Sequence, residues 1–244
     1  MNTNVAAVIV AAGNSTRMGM PKMLLPLKGK PVIVHTLTVF QNSPVIDEIV
    51  LVARAEDVDA LHELAANHGI GKLMAVVPGG DTRQQSVANG VRACGTDIAF
   101  FAIHDGARPL VSSECIAAVV QAAQRDGAAA TAVRVKDTIK VADENGFVCS
   151  TPDRATLWSV QTPQIFERDL YLRAVEHMEA TGLQVTDDCT MVEAIGHPVR
   201  LVEGDYTNLK ITTPEDIATA EVWLRRNCVS VMAMMFTAWW KDGR

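Results

Sequence analysis

Residues 5–22 read VAAVIVAAGNSTRMGMPK, and this stretch decides the fold class. It begins with a nearly continuous apolar run over 5–12, which is typical of a strand buried on both faces of a parallel sheet. The loop that follows takes ten residues, from Gly13 to Lys22, whereas a plain strand-to-helix connection needs about two to six. Close backbone approach at Ala12 and Gly13, with the cations Arg17 and Lys22, predicts a site for a di- or triphosphate.

Apolar runs and helical patterns alternate along the next hundred residues. Further strands are predicted at 48–53, 73–77, 98–103 and 129–135, with helices at 31–41, 56–68, 82–93 and 112–125. This alternation predicts an α/β fold with a doubly wound, mostly parallel, Rossmann-like sheet. Ligands of such folds bind at the carboxyl ends of the strands, so the loops after each strand are the places to search.

The alternation breaks near residue 136. Turn residues between two short β-prone pieces predict a β-hairpin arm at about 136–152, and arms of this kind often form dimers. Helices are expected at 167–180, 187–195 and 215–227, with a strand at 199–203. We therefore expect one domain over 1–227, followed by an apolar tail at 228–244 of undetermined role, for which packing on the chain or on a dimer partner is favoured.

Composition excludes several classes of function. A net charge of −6 argues against a sequence-independent nucleic-acid binder, because such proteins present a basic face. The five cysteines lie at least twenty residues apart without a CxxC pair, which disfavours structural zinc or disulfides and favours the cytoplasm. No signal-peptide pattern and no apolar stretch long enough for a membrane span is found, so no membrane partner is expected.

Three further segments carry candidate binding residues. In HDGARP (104–109), Asp105 suits a ribose hydroxyl or phosphate-bound Mg²⁺ and Arg108 suits an anion, while His104 is expected to be a hydrogen-bonded structural residue. PGGDTRQQSV (78–87) offers glycines and Ser86 to a base or ribose. DRATLWSVQTPQ (153–164) and NLKITTPED (208–216) add residues near the ends of β segments; they are Arg154, Thr162 and Lys210. Many cations with one acid and no hydrolase motif favour nucleotidyl transfer.

The combined motifs resemble a known family. AAGNSTRMGMPK, GGDTRQQSV, HDGARP, DR…TPQ and LKITTPED occur in the order found in 2-C-methyl-D-erythritol 4-phosphate cytidylyltransferases, and the resemblance covers residues 5 to about 226. It implies a nucleotide-diphospho-sugar transferase type of fold. It also implies transfer of CMP from CTP to 2-C-methyl-D-erythritol 4-phosphate with release of pyrophosphate, dependence on Mg²⁺ or another divalent cation, and a homodimer whose arms reach the neighbouring site.

The resemblance also implies a role for individual residues. Arg17, Lys22 and Lys210 would be catalytic, neutralising the triphosphate and the charge that develops at the α-phosphorus. The cytidine would be held by a second group, consisting of Ala12, Gly13, Gly80, Asp81 and Ser86. Asp105, near the metal, and Arg108 would bind the polyol substrate, with Thr186 at the polyol. The neighbouring subunit would contribute Thr138, Arg154 and Thr162 to the substrate phosphate.

Other functions remain open at the level of sequence. A ribitol-5-phosphate cytidylyltransferase of wall teichoic acid synthesis would share nearly every motif. PKMLLPLKGKP (21–31) also resembles molybdopterin nucleotidyltransferases. A non-catalytic nucleotide-binding module would be expected to lack Arg17, Lys22 or Lys210, and all three are present. Gly106 departs from the alanine more common in the family, which is expected to loosen the loop without changing the chemistry.

Overall fold

Seven of the eleven strands form one sheet in the computed structural model, which describes residues 3–13 and 22–225. Arg17 and the apolar tail at 228–244 lie outside the described residues, so the predictions about them stay predictions. In chain order the strands are β1 (Val5–Val10), β2 (Pro26–Leu27), β3 (Lys30–Pro31), β4 (Glu48–Ala53), β5 (Leu73–Pro78), β6 (Phe100–Asp105), β7 (Ala128–Arg134), β8 (Val141–Ala142), β9 (Val148–Ser150), β10 (Trp158–Glu167) and β11 (Arg200–Glu203).

The large sheet has the order β11-β7-β10-β6-β1-β4-β5. Strand β1 is central and pairs in parallel with β4 and β6, and β10 alone runs antiparallel to its neighbours. The mostly parallel sheet predicted from the apolar runs is therefore confirmed. Because the carboxyl ends of β1, β4, β5 and β6 meet at one edge, the loops that follow them lie together.

Helices cover both faces of the sheet. They are α1 (Val32–Asn42), α2 (Val58–Asn67), α3 (Arg83–Arg92), α4 (Ser113–Asp126), α5 (Arg168–Thr181), α6 (Asp188–Ala194) and α7, which is helical over 214–225. Alternate residues of β1 enter two separate cores: Ala7 and Ile9 pack with α1 and α4, whereas Ala6 and Val8 pack with α3 and α5. This is the doubly wound arrangement that two-sided burial of β1 predicts.

Strand β10 is the main element whose position the sequence pattern did not give. It lies between β6 and β7, and its register shifts between Val160 and Gln164, around Pro163. Proline donates no hydrogen bond to a sheet, so this shift is how a central strand accommodates it.

The predicted β-hairpin arm is present as β8 and β9, which pair antiparallel. Its apolar side chains are exposed: Phe147 has 73% and Val148 has 59% of its surface accessible. Among the residues that the structure describes, no helix is long and apolar enough to cross a membrane.

Candidate active site

One cavity of about 240 Å³ opens at the carboxyl ends of β1 and β6. Eight of the residues predicted from the sequence line it, namely Ala12, Gly13, Lys22, Gly80, Asp81, Ser86, Asp105 and Lys210. Residues far apart in the chain thus converge as expected from the parallel strand ends.

The loop between β5 and α3 forms one wall of this cavity. A side-chain Cβ at Gly79 would lie 2.4 Å from the Cβ of Ala12, so glycine is required for the loop to approach β1 this closely. The Gly80 N–H donates a hydrogen bond to Ser86 Oγ at 3.1 Å. Thr82 caps α3 in a reciprocal capping box with Gln85, which fixes the start of the helix beside the cavity.

Asp105, the last residue of β6, is surrounded by cations. Its Oδ2 accepts from Lys210 Nζ at 2.9 Å and from Arg108 Nε at 3.4 Å. Burial would raise the pKa of this carboxyl, but Lys210, Arg83 and Arg108 outweigh burial and lower the pKa to about 2. Asp105 is therefore ionised at neutral pH, and Lys210 and Arg108, which both contact this one carboxylate, leave a local positive surplus that suits an anionic ligand.

His104 and Thr162 form a buried hydrogen-bond network next to Asp105. The Thr162 hydroxyl accepts from the Asp105 N–H at 3.0 Å and lies 3.0 Å from His104 Nδ1, while His104 Nε2 lies 3.2 Å from the Arg108 carbonyl oxygen. Since a carbonyl only accepts, Nε2 carries the proton and Nδ1 accepts from Thr162. Burial lowers the pKa of His104 to about 4, so it is neutral and structural, as expected from the sequence.

Thr162 is held by hydrogen bonds within its own chain. Its side chain is buried, with 4% of the residue exposed, and its hydroxyl is engaged with Asp105 and His104 of the same chain. We therefore interpret Thr162 as a support for Asp105. The contribution to a neighbouring subunit's substrate phosphate, which the resemblance implied for Thr162, stays a prediction.

Four other predicted residues lie outside the cavity lining. Arg108 lies beside it and donates through Nη1 to the Asn208 carbonyl oxygen at 2.7 Å. Arg154 lies at the base of the arm, where its Nη1 donates to the Lys136 carbonyl oxygen at 2.9 Å, and Thr138 is exposed on the arm side. Thr186 lies just before α6, with its hydroxyl 3.4 Å from that of Thr190.

Arg83 is a cavity residue that the sequence reasoning missed. It is the first residue of α3, lines the cavity, and donates through Nη1 to Asp188 Oδ2 at 2.6 Å. Asp188 is fully buried, and its Oδ1 accepts from the Tyr171 hydroxyl at 2.7 Å. The motif GGDTR contained the signal, because a cation in the first turn of a helix beside a glycine loop is well placed to meet a ligand.

A ligand cavity at the carboxyl ends of parallel strands, lined by a glycine loop and cations around one ionised acid, defines a nucleotide-binding enzyme of the α/β class. Within that class, the chain belongs to the 2-C-methyl-D-erythritol 4-phosphate cytidylyltransferase (IspD) family, whose sequence model matches residues 5–226. This confirms the resemblance carried by the sequence motifs.

Individual relatives support the same assignment. The chain is 47% identical over 229 residues to a 2-C-methyl-D-erythritol 4-phosphate cytidylyltransferase of Desulforamulus reducens, covering 92% of this chain and 98% of the relative. A 4-diphosphocytidyl-2C-methyl-D-erythritol synthase structure from Anaerococcus prevotii superimposes with a TM-score of 0.83 at 33% identity, covering 91% and 96% of the two chains. The Thermus thermophilus cytidylyltransferase structure gives 0.74 at 32% identity, covering 91% and 99%.

Proposed function

We propose that this protein transfers CMP from CTP to 2-C-methyl-D-erythritol 4-phosphate, giving 4-diphosphocytidyl-2-C-methyl-D-erythritol and pyrophosphate. The observation that carries the proposal is the cavity at the ends of β1 and β6, in which Asp105 lies among Lys210, Arg108 and Arg83 in a chain of this family. Such a site favours substrates that bring several negative charges and some hydroxyl groups together.

The nucleotide would occupy the side of the cavity formed by β1 and the loop before α3. We assign the cytidine to the glycine-lined wall, with Ala12, Gly13, Gly80, Asp81 and Ser86 around it. Lys22 lines the same cavity and would meet the triphosphate, together with Arg17 from the loop that the sequence predicts to wrap it.

The reaction we propose is an in-line displacement at the α-phosphorus. A phosphate oxygen of the acceptor forms the new O–P bond, and the bond from the α-phosphorus to the bridging oxygen of pyrophosphate breaks. The attacking oxygen is already anionic, so no general base is required. Lys22, Arg17 and Lys210 would stabilise the charge that develops in the transition state, which accounts for the surplus of cations.

A divalent cation fits this site through one protein carboxylate. Within residues 3–13 and 22–225, no group of three potential metal-ligating side chains occurs. Mg²⁺ is commonly held by one or two carboxylates and the substrate phosphates, and Asp105 at the cavity can supply one. When bound, Mg²⁺ would neutralise charge on the triphosphate.

We further propose that the protein acts in the cytoplasm as a homodimer with shared sites. The arm presents exposed apolar side chains, including Val141, Phe147 and Val148, that contact with a second copy would bury. Arg154 and Thr138 lie at the arm rather than in the cavity lining, which fits a contribution to the partner's acceptor phosphate. Arg108 and Thr186 would bind the acceptor within the chain.

The test is pyrophosphate release from CTP and Mg²⁺, with 2-C-methyl-D-erythritol 4-phosphate or ribitol 5-phosphate as the acceptor at equal concentration. We expect a strong preference for the first acceptor. Preference for ribitol 5-phosphate would keep the mechanism and replace the acceptor. A folded protein that releases pyrophosphate with neither acceptor would contradict the proposal.

A further inference from the structure

Arg83 and Asp105 face the same cavity but are paired with other groups. Arg83 uses Nη1 to bind Asp188, and Asp105 uses Oδ2 to accept from both Lys210 and Arg108. Between Arg83 and Asp105 themselves, no ion pair within 4 Å forms. Each of these two lining residues therefore retains hydrogen-bonding capacity.

The remaining capacity of the two side chains is complementary. Asp105 Oδ1 has no hydrogen-bond partner within the described part of the chain, and neither do Nε and Nη2 of Arg83. An ionised carboxylate only accepts hydrogen bonds and a guanidinium only donates them. A hydroxyl group, which donates one hydrogen bond and accepts others, can satisfy both at once, whereas a phosphate oxygen can satisfy only Arg83.

The guanidinium of Arg83 is held in place by Asp188. Asp188 is completely buried, and its two oxygens accept from Arg83 Nη1 at 2.6 Å and from the Tyr171 hydroxyl at 2.7 Å. Asp188 also balances one positive charge, so Arg83 adds hydrogen-bond donors to the cavity with little added net charge. That property suits recognition of a neutral hydroxyl better than attraction of a triphosphate.

We propose that Arg83 is a substrate-binding residue, which together with Asp105 holds one hydroxyl group of a substrate, and that Asp188 is its positioning residue. The inference rests on the proposed function for the identity of the substrates. Both substrates carry hydroxyl groups, the ribose of CTP and the polyol of the acceptor. In either case a hydroxyl group would lie between a carboxylate and a guanidinium. The experiment below shows whether that hydroxyl belongs to the ribose or to the polyol.

Three variants test the pair, and a fourth is the control. Arg83→Lys keeps the positive charge but loses the planar set of guanidinium donors. Asp188→Asn weakens the interaction that holds the Arg83 guanidinium in place. Because removing Arg83 alone would leave a buried charge unpaired, the double variant Arg83→Met/Asp188→Asn removes both charges together. Arg92→Met removes a guanidinium from the other end of α3, where the side chain is 63% exposed. Circular dichroism and thermal unfolding establish that each variant folds.

Steady-state pyrophosphate release then measures KM for each substrate and kcat. We expect each of the three test variants to raise one KM by about tenfold or more, with kcat changed much less, because a ground-state hydroxyl contact is lost. Arg92→Met should change neither KM. If the hydroxyl belongs to the ribose, the preference of the wild type for CTP over 2′-deoxy-CTP or 3′-deoxy-CTP should collapse in the variants. If it belongs to the polyol, the KM of the acceptor should rise and that preference should persist.

Calorimetry separates this inference from the proposed function, since it requires no turnover. CTP, its deoxy analogues, and the acceptor in the presence of α,β-methylene-CTP are titrated into the wild type and the variants. Folded Arg83→Lys and double variants that bind every one of these ligands as tightly as the wild type would overturn the role of Arg83. Absence of pyrophosphate release by the wild type, with the affinity differences intact, would overturn only the reaction.

Discussion

Acidification should destabilise this protein through His104. The ring is fully buried, and its neutral form fits its partners: Nδ1 accepts from the Thr162 hydroxyl and Nε2 donates to the Arg108 carbonyl. A protonated ring would place a second donor against that hydroxyl, which already accepts from the N–H of Asp105. Protonation therefore costs both burial of a charge and a hydrogen bond of the site.

The size of the effect follows from the pKa of this histidine. Burial lowers the pKa from 6.5 to about 4, so the unfolded chain binds the proton more tightly than the folded protein. The stabilising contribution is complete above the unfolded pKa and is lost as the pH falls from 6.5 towards 4. At about 1.36 kcal/mol per pKa unit, roughly 2.5 kcal/mol should be lost between about pH 7.5 and about pH 4.5.

Urea-induced unfolding of the wild type, His104→Gln and His68→Gln at these two pH values measures the effect. We expect the free energy of unfolding of His104→Gln to fall by roughly 2.5 kcal/mol less than that of the wild type over this interval. His68, an exposed residue beyond α2, is the matched control, and its variant should follow the wild type. An equal loss in the wild type and His104→Gln would refute the assignment of a buried neutral ring.

Other substitutions separate catalysis from stability. Lys210→Met should lower kcat by roughly 10²-fold, and it should also lower the free energy of unfolding, because it removes a cation from the buried Asp105 carboxylate. Lys72→Met, which removes the 2.7 Å hydrogen bond from Nζ to the Ser43 carbonyl oxygen, should lower the free energy of unfolding and leave kcat unchanged. Although alanine is commoner in the family at this position, in this chain Gly106→Ala would place a Cβ 2.9 Å from Ile33 Cδ1, so it should lower the free energy of unfolding by about 1 kcal/mol, with partial recovery in Gly106→Ala/Ile33→Val. Mixed Arg154→Ala and Lys210→Met subunits should regain up to about a quarter of the sites if the site is shared in a two-fold dimer, and no recovery after verified subunit exchange would contradict a shared site.

The fold was predictable wherever a strand carries apolar residues that are buried on both faces of the sheet. The runs that became β1, β4 and β6 are short, contain few polar residues and include Val or Ile, which favours a strand buried on both faces of a parallel sheet. Strand β10 could not be read this way because it buries Gln161, Thr162 and Gln164 beside Pro163. These polar residues are tolerated in a central strand only through partners from distant segments, such as Asp187, which Gln164 reaches at 3.1 Å.

The site was predictable to the extent that its residues follow strand ends. Gly80 and Lys210 lie in loops and Asp105 ends β6, in segments whose composition marks them as ligand-binding, and the structure brings all three to one cavity. Asp188 was not predictable as a site residue, because its interaction with Arg83 joins positions 105 residues apart, and nothing in its local sequence marks it as buried. Pairings of this kind depend on where α3 and α6 are placed on the sheet, which periodicity does not specify.

The structure also reconciles an acidic protein with an anionic ligand. The net charge of −6 is spread over the whole chain, and at physiological ionic strength charges beyond about 8 Å are largely screened. Lys22 and Lys210 line the cavity, and Arg108 lies against Asp105. Two buried acids near these cations differ in effect: Asp105 Oδ1 has no hydrogen-bond partner within the described residues, whereas both oxygens of Asp188 accept hydrogen bonds, from Arg83 and from Tyr171. The site therefore combines a local field that attracts phosphate with a fixed donor and acceptor for a hydroxyl, and a polyol phosphate and a nucleotide each present both groups.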